Sequence, residues 1–144
     1  MNAVPLLSRL GIAVSALALI GADVPERERP AGMGVLCLGA LLYISDIEAR
    51  SCHAGMDPAW QERLSRYTER FDAYLIRNLP EGELGLRRFK EKQGLTPAVR
   101  PEICKADEEN SFYDNFRKMD PAELDTAVDK ALMRDGKPTF GDCL

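Results

Sequence analysis

Residues 57–78 read DPAWQERLSRYTERFDAYLIRN, and they give the clearest indication of the fold class. Asp57 followed by Pro58 is typical of a helix start. The Asp side chain accepts N–H groups that the first turn leaves unpaired, and Pro at the first helical position has no N–H. Large side chains then recur at steps of four, three, four, three and four residues: Trp60, Leu64, Tyr67, Phe71, Tyr74 and Asn78. This period predicts an amphipathic helix that runs to about Asn78.

The stretch before it predicts a helix of a different kind. Residues 33–44 are apolar on every side, and polar side chains enter only at Ser45 and Asp46. A helix that is apolar all round lies either at the centre of a bundle or in lipid, and about 20 residues are needed to cross a bilayer. Twelve residues are too few, so we expect a core helix over residues 33–50.

Two further helices are expected directly downstream. The first covers Pro80–Gln93, with Leu84 and Phe89 facing the core and Gly94 as the stop. Residues 94–103 contain two prolines and predict an extended loop. The next helix covers Asp107–Lys118 and places Phe112 and Phe116 on one face.

A last helix begins at Asp120-Pro121, the same start signal as Asp57-Pro58, with Glu123 spaced as a reciprocal cap. It carries the apolar stripe Leu124, Val128, Ala131 and Leu132 before Gly136. No segment alternates between apolar and polar residues for long enough to predict a strand. The fold class is therefore all-α: one bundle of about five helices over residues 33–144.

The first 22 residues predict a cleaved signal peptide. Arg9 precedes an apolar run from Leu10 to Ala22, which is too short to span a bilayer and ends in a small residue. Residues 23–32 are rich in proline and charge and predict a flexible leader. We expect export to the periplasm or the exterior, with no transmembrane span left after cleavage after Ala22. The alternatives are an uncleaved anchor and a cytosolic protein.

Four cysteines, Cys37, Cys52, Cys104 and Cys143, lie after the predicted cleavage point. An even count in a small exported chain predicts two disulfides, which staple the bundle. One helix over residues 33–50 holds Cys37 and Cys52 roughly 22 Å apart, whereas a disulfide needs Cα atoms within about 7 Å. Two pairings remain open: Cys37–Cys104 with Cys52–Cys143, or Cys37–Cys143 with Cys52–Cys104.

The most suggestive candidate site is a row of arginines on the 57–78 helix. With Trp60 at zero and 100° per residue, the row lies between about 240° and 300°, on one flank of the apolar stripe. Guanidinium groups bind carboxylates and phosphates through paired donors, so this row could hold an anionic partner. The alternative is that the stems cover the core edge while the charged ends pair within the chain. The row consists of Arg63, Arg66, Arg70 and Arg77.

Composition narrows the function classes. A net charge of −4 argues against a nucleic-acid binder, which needs a clustered basic excess. A single histidine, His53, removes every site that needs two imidazoles, and it lacks a nearby nucleophile. The acidic residues 107–109 and Asp114 do not have the spacing of a calcium loop. We therefore expect no metal and no cofactor.

Three functions remain open from the sequence. The first is a non-enzymatic binding module for a protein or an anionic surface, which would use the arginine row. The second is a small hydrolase or lyase with convergent carboxylates, which requires a concave pocket lined by acids. The third is a carrier of an apolar ligand between the helices, which requires an apolar cavity.

The export hypothesis predicts a defined mass. The exported product should begin at Asp23, contain 144 − 22 = 122 residues and be lighter by four hydrogens than its fully reduced form. Intact-mass measurement with and without reductant checks both numbers. A full-length product with all thiols reduced would contradict the compartment and the disulfides together.

Overall fold

A computed structural model describes residues 34–105 and 111–141. Five α-helices and one 3₁₀ turn make up this part, which contains no β-strand. The all-α prediction is confirmed. The predicted signal peptide, the 23–32 leader and Cys143 lie outside the described residues. The elements are α1 (Val35–Cys52), α2 (Pro58–Asn78), α3 (Glu83–Gln93), the 3₁₀ turn Pro101–Ile103, α4 (Phe112–Arg117) and α5 (Pro121–Leu132).

Helix α1 lies at the centre of the bundle. Eleven of its 18 residues are buried, and it contacts α2, α4, α5 and the 3₁₀ turn. Burial of its first half follows from the apolarity of residues 35–44, since no face of this segment gains by facing water. None of the described helices combines the length and apolarity that a membrane crossing needs.

Helix α2 packs its predicted stripe against α1. Leu64, Tyr67, Phe71 and Tyr74 are all at most 3% exposed. The two helices approach closely at Gly39, where an added Cβ would lie 2.8 Å from Cδ1 of Phe71. A glycine at this position of α1 therefore makes room for the Phe71 ring.

A polar cluster joins the first three helices. The Tyr43 hydroxyl on α1 donates to Oδ1 of Asp72 on α2. Lys90 on α3 places its Nζ 2.7 Å from Oδ2 of the same carboxylate and 4.7 Å from the centre of the Tyr43 ring. Asp72 thus accepts from both α1 and α3. Burial, followed by the hydrogen bond to Asp72, raises the pKa of Tyr43.

The segment after α5 returns to the start of α1. The backbone N–H groups of Gly34 and Leu36 donate to the carbonyls of Phe140 and Thr139, both at 3.0 Å. These bonds satisfy N–H groups that the first turn of α1 leaves without a helical partner. The approach requires glycine, because a Cβ on residue 34 would lie 2.3 Å from the Phe140 carbonyl carbon.

One disulfide joins Cys52, the last residue of α1, to Cys104. This disulfide is part of the predicted pairing Cys37–Cys143 with Cys52–Cys104. It excludes the alternative pairing, Cys37–Cys104 with Cys52–Cys143. Cys37 is also disulfide-bonded. Because its predicted partner Cys143 lies outside the described residues, the bond Cys37–Cys143 stays a prediction.

The prediction for the third helix was wrong in its start and in one inward residue. Glu81 and Gly82 have φ angles of +68° and +56°, so the chain turns before α3 begins at Glu83. In the resulting register Leu86 faces the core and is 9% exposed, whereas Leu84 is 37% exposed. Two residues correspond to about 200° around a helix, so these leucines point in opposite directions. Phe89 packs against the core as predicted.

The next helix also differs in detail from its prediction, whereas the last helix begins where it was predicted. Ser111 is extended, and its side chain accepts from the N–H of Asp114, so it interrupts the expected 107–118 helix and α4 begins at Phe112. The residue that α4 buries most deeply is Tyr113, at 2% exposure. In α5 the Asp120 cap is present, but it accepts from the N–H of Ala122.

A buried acid links α1 to α4. Glu48 is 6% exposed, and its Oε2 accepts from the backbone N–H of Tyr113 at 2.6 Å. This carboxylate therefore completes the first turn of a helix 65 residues away in sequence. His53 packs parallel to the ring of the same Tyr113, with centroids 4.2 Å apart.

Replacement of Glu48 should destabilise the bundle. Glu48→Ala leaves a buried N–H without its acceptor and should lower the free energy of unfolding by about 1–3 kcal/mol. Glu48→Gln keeps an oxygen acceptor and should lose less. Urea unfolding of both variants checks the order, with the exposed Glu69→Ala on α2 as the control. Equal stability of Glu48→Ala and Glu69→Ala would contradict the role of Glu48.

Candidate functional site

The candidate site lies along one edge of α2. The helix begins where Asp57 accepts from the N–H of Trp60 at 3.2 Å, and this start fixes the register of all later residues. With the aromatic stripe buried, the flanking arginines emerge at the edge of the core. Their side chains range from 32% exposed at Arg63 to 56% exposed at Arg66.

Three of the four arginines pair with acids of one neighbouring segment. Arg63 lies 3.7 Å from Asp125, and Arg70 lies 2.6 Å from Asp129. Both aspartates belong to α5, and the third acid, Asp135, follows it. The Arg77 side chain approaches Asp135 at 3.6 Å. The arginine edge therefore faces α5 and the turn after it.

Arg66 pairs within its own helix. Its Nη1 lies 2.6 Å from Oε1 of Glu62, one turn earlier, and both side chains are more than half exposed. Exposed ion pairs of this kind contribute roughly 0–1 kcal/mol to stability. The intramolecular partners therefore orient the guanidinium groups without holding them strongly.

A groove of about 330 Å³ opens between α2 and α5. We call it the arginine groove; its lining residues are Arg63, Arg66, Tyr67, Arg70 and Asp125. Three of the predicted site residues thus meet in one concavity. Arg77 lies outside it and lines a second cleft at the end of α2.

The floor of the groove contains a buried donor that no described residue satisfies. The Tyr67 hydroxyl donates to Oδ1 of Asp125 at 2.5 Å. Arg63 Nη1 is buried and lies 3.7 Å from Oδ2 of Asp125, and no acceptor within residues 34–105 and 111–141 is placed to form a hydrogen bond with it. A buried N–H group in this condition is costly, because it has given up its hydrogen bonds to water.

Tyr67 remains a hydroxyl donor over a wide pH range. Burial, followed by the hydrogen bond to Asp125 and the charge of that carboxylate, raises the pKa of Tyr67 to about 12. The neighbouring Arg63 acts in the opposite direction. The groove therefore presents three cations, one carboxylate and one neutral phenol at neutral pH.

The other sequence candidates do not join the groove. His53 stacks on Tyr113, as described above, and Asp114 pairs with Arg117 at 3.6 Å. Residues 107–109 lie outside the described part. Within residues 34–105 and 111–141, no group of three or more His, Cys, Asp or Glu side chains is placed to hold a metal ion.

Comparison with known proteins gives no relative: no family model, curated protein sequence or solved structure matches this chain.

Sequence reasoning missed the acids that face the arginine row. Asp125 and Asp129 are four residues apart, and Arg63 and Arg70 are seven apart, so each pair lies on one face of its own helix. These spacings indicated two charged edges. They did not indicate that the edges meet, because that depends on how α2 and α5 pack on α1.

The tyrosine titration tests the geometry of the groove floor. The folded pKa of Tyr67 is above the unfolded value of 10.0, so the folded chain retains a proton that the unfolded chain releases. This contribution to stability is complete below pH 10 and is lost as the pH rises through about 12. Absorbance titration of tyrosinate should show a step near pH 12 that Tyr67→Phe removes.

Tyr74→Phe is the control for that step. The hydroxyl of Tyr74 donates to the carbonyl of Arg134 at 3.2 Å and to no carboxylate. Its removal should leave the step near pH 12 in place. Titration of Tyr67 at pH 10 in the native protein would contradict the hydrogen bond to Asp125.

Proposed function

We propose that this chain is an exported, non-enzymatic binding module that takes a phosphate group of an anionic partner in the arginine groove. The single observation that carries the proposal is the convergence of Arg63, Arg66 and Arg70 on one concave surface. Export is supported by the 1–22 segment and by the Cys52–Cys104 disulfide, since disulfides persist in oxidising compartments.

A phosphate fits this donor set better than a carboxylate. Each guanidinium carries five N–H donors in a rigid fork, so three of them offer more donors than the two oxygens of one carboxylate can accept. A phosphate group offers more acceptor oxygens and a charge near −2. It therefore competes with Glu62 and Asp129, which hold their arginines through single exposed contacts.

Arg66 and Arg70 supply the accessible donors of the groove, since their side chains are 56% and 44% exposed whereas Arg63 Nη1 is buried. An incoming phosphate oxygen competes with Glu62 and Asp129 at these two guanidinium groups. Hydrogen bonds between charged groups contribute about 1.5–3 kcal/mol each. One such bond changes affinity by roughly one to two orders of magnitude.

The groove favours binding over acid–base catalysis. Hydrolysis by two carboxylates needs a pair of acids in one cleft with different proton affinities. Among the described residues, Asp125 is the one carboxylate that lines the groove, and it already accepts from Tyr67. The groove therefore supports the binding hypothesis and does not support the hydrolase or lyase hypothesis.

Charge reversal tests the proposal. Arg66→Glu combined with Arg70→Glu should weaken binding at least about tenfold, since two charge-assisted contacts are lost. The probes are inorganic pyrophosphate, by calorimetry at matched ionic strength, and vesicles of phosphatidylglycerol in phosphatidylcholine, by co-sedimentation. Binding of pyrophosphate alone indicates a soluble phosphate ligand, whereas binding of vesicles indicates a membrane surface.

Arg88→Glu is the matched control. Arg88 forms an exposed ion pair with Glu81 at 2.5 Å, of the same kind as those in the groove but on α3. The Arg88→Glu variant should bind both probes as the unmodified chain does. The proposal fails if neither probe binds, or if the control loses as much affinity as the groove variant. Thermal unfolding should change little in all variants, because the lost ion pairs are exposed.

A further inference from the structure

The structure holds a second cleft, at the end of α2, that the arginine groove does not include. It measures about 520 Å³ and is lined by residues 77–80 and 136–138. This volume falls within the range of about 300–1,000 Å³ that small-molecule sites occupy. We call it the terminal cleft.

Hydrogen bonds fix the two walls of the terminal cleft relative to each other. The Asn78 amide nitrogen donates to Oδ1 of Asp135 at 3.0 Å, and its oxygen accepts from the N–H of Gly136 at 2.6 Å. The Tyr74 hydroxyl donates to the carbonyl of Arg134 at 3.2 Å. Both ends of the Asn78 amide are therefore engaged, and the cleft exists before any ligand binds.

The surface between the walls is mostly apolar. Leu79 leaves α2 in an extended conformation, and Pro80 follows it. Pro138 faces them from the segment after α5 and is buried. Two of these three residues are prolines, which have no N–H to donate, so the cleft offers a ligand hydrocarbon contacts.

Two cations lie in the lining of this apolar surface. Arg77 donates to the Ala73 carbonyl at 3.2 Å and approaches Asp135 at 3.6 Å. Lys137 is exposed and forms no ion pair or hydrogen bond with the described residues. The net charge of Arg77, Lys137 and Asp135 is +1. A ligand with one negative charge therefore balances it.

The geometry points to a binding site for a medium-chain carboxylate in the terminal cleft, with the hydrocarbon chain on Leu79, Pro80 and Pro138 and the carboxylate at Lys137. A monoanion suits the charge of +1. A dianion would exceed this charge of +1, which the partial negative charge of about half an elementary charge at the C-terminal end of α2 already reduces. The inference is independent of the arginine groove, whose lining residues it does not use.

Decanoate, below its micelle concentration, is the probe. Calorimetry should detect binding that weakens at least about tenfold in Lys137→Glu, since the attraction to the carboxylate becomes repulsion. Lys130→Glu, an exposed change of the same kind on α5, should bind decanoate as the unmodified chain does. Decan-1-ol, which lacks the charge, should bind at least about tenfold more weakly than decanoate.

Amide chemical shifts locate the site. Decanoate should shift the resonances of Leu79 and Gly136, and the Arg66→Glu, Arg70→Glu variant should bind it normally. The inference is overturned if decanoate does not bind, if Lys137→Glu binds it unchanged, or if decan-1-ol binds equally well. Shifts confined to other residues overturn it as well.

Discussion

The bundle is organised around the burial of α1, which contacts α2, α4 and α5. The first half of α1 is apolar on every side, whereas its second half carries Asp46 and Glu48, each only 6% exposed. Burying a carboxylate is unfavourable unless it is paired or hydrogen-bonded. Asp46 meets Arg50 at 2.5 Å, and Glu48 accepts from the N–H of Tyr113. The same helix therefore requires apolar cover from α2 and a polar contact from α4, which fixes where both neighbours lie.

Helix α2 serves the bundle with three different surfaces. Its aromatic stripe fills the core against α1, and Asp72 on one edge holds Tyr43 and Lys90. The arginines on the other edge face the acids of α5. Because the candidate site belongs to a long helix with a packed core face, its guanidinium groups start from a rigid backbone. Preorganised groups of this kind lose less entropy on binding than groups on a mobile loop.

The sequence was most informative where a local signal decides the structure. The Asp-Pro starts and the three-to-four spacing placed α2 from Pro58 to Asn78, the bounds that the structure shows. Prediction was wrong at Leu84, where the positive φ angles of Glu81 and Gly82 set the register of α3. Glu81 does not indicate that turn, since a glutamate rarely adopts such a φ, although Gly82 adopts it readily. The disulfide pairing and the acids that face the arginine row depend on how distant helices pack, which no local spacing encodes.

The arginine row can pair within the chain and also bind a partner, because apolar packing attaches α5 to the core whereas ion pairs involve only its charged edge. Leu124 and Val128 are at most 1% exposed and attach α5 to the core, where burying such side chains contributes about 1.5–3 kcal/mol each. The ion pair between Arg70 and Asp129 is exposed and contributes far less. A partner that replaces Asp129 at Arg70 therefore removes little of what stabilises α5. The arginines can exchange partners while the bundle stays folded, and this separation of packing from charge makes a binding edge possible on so small a core.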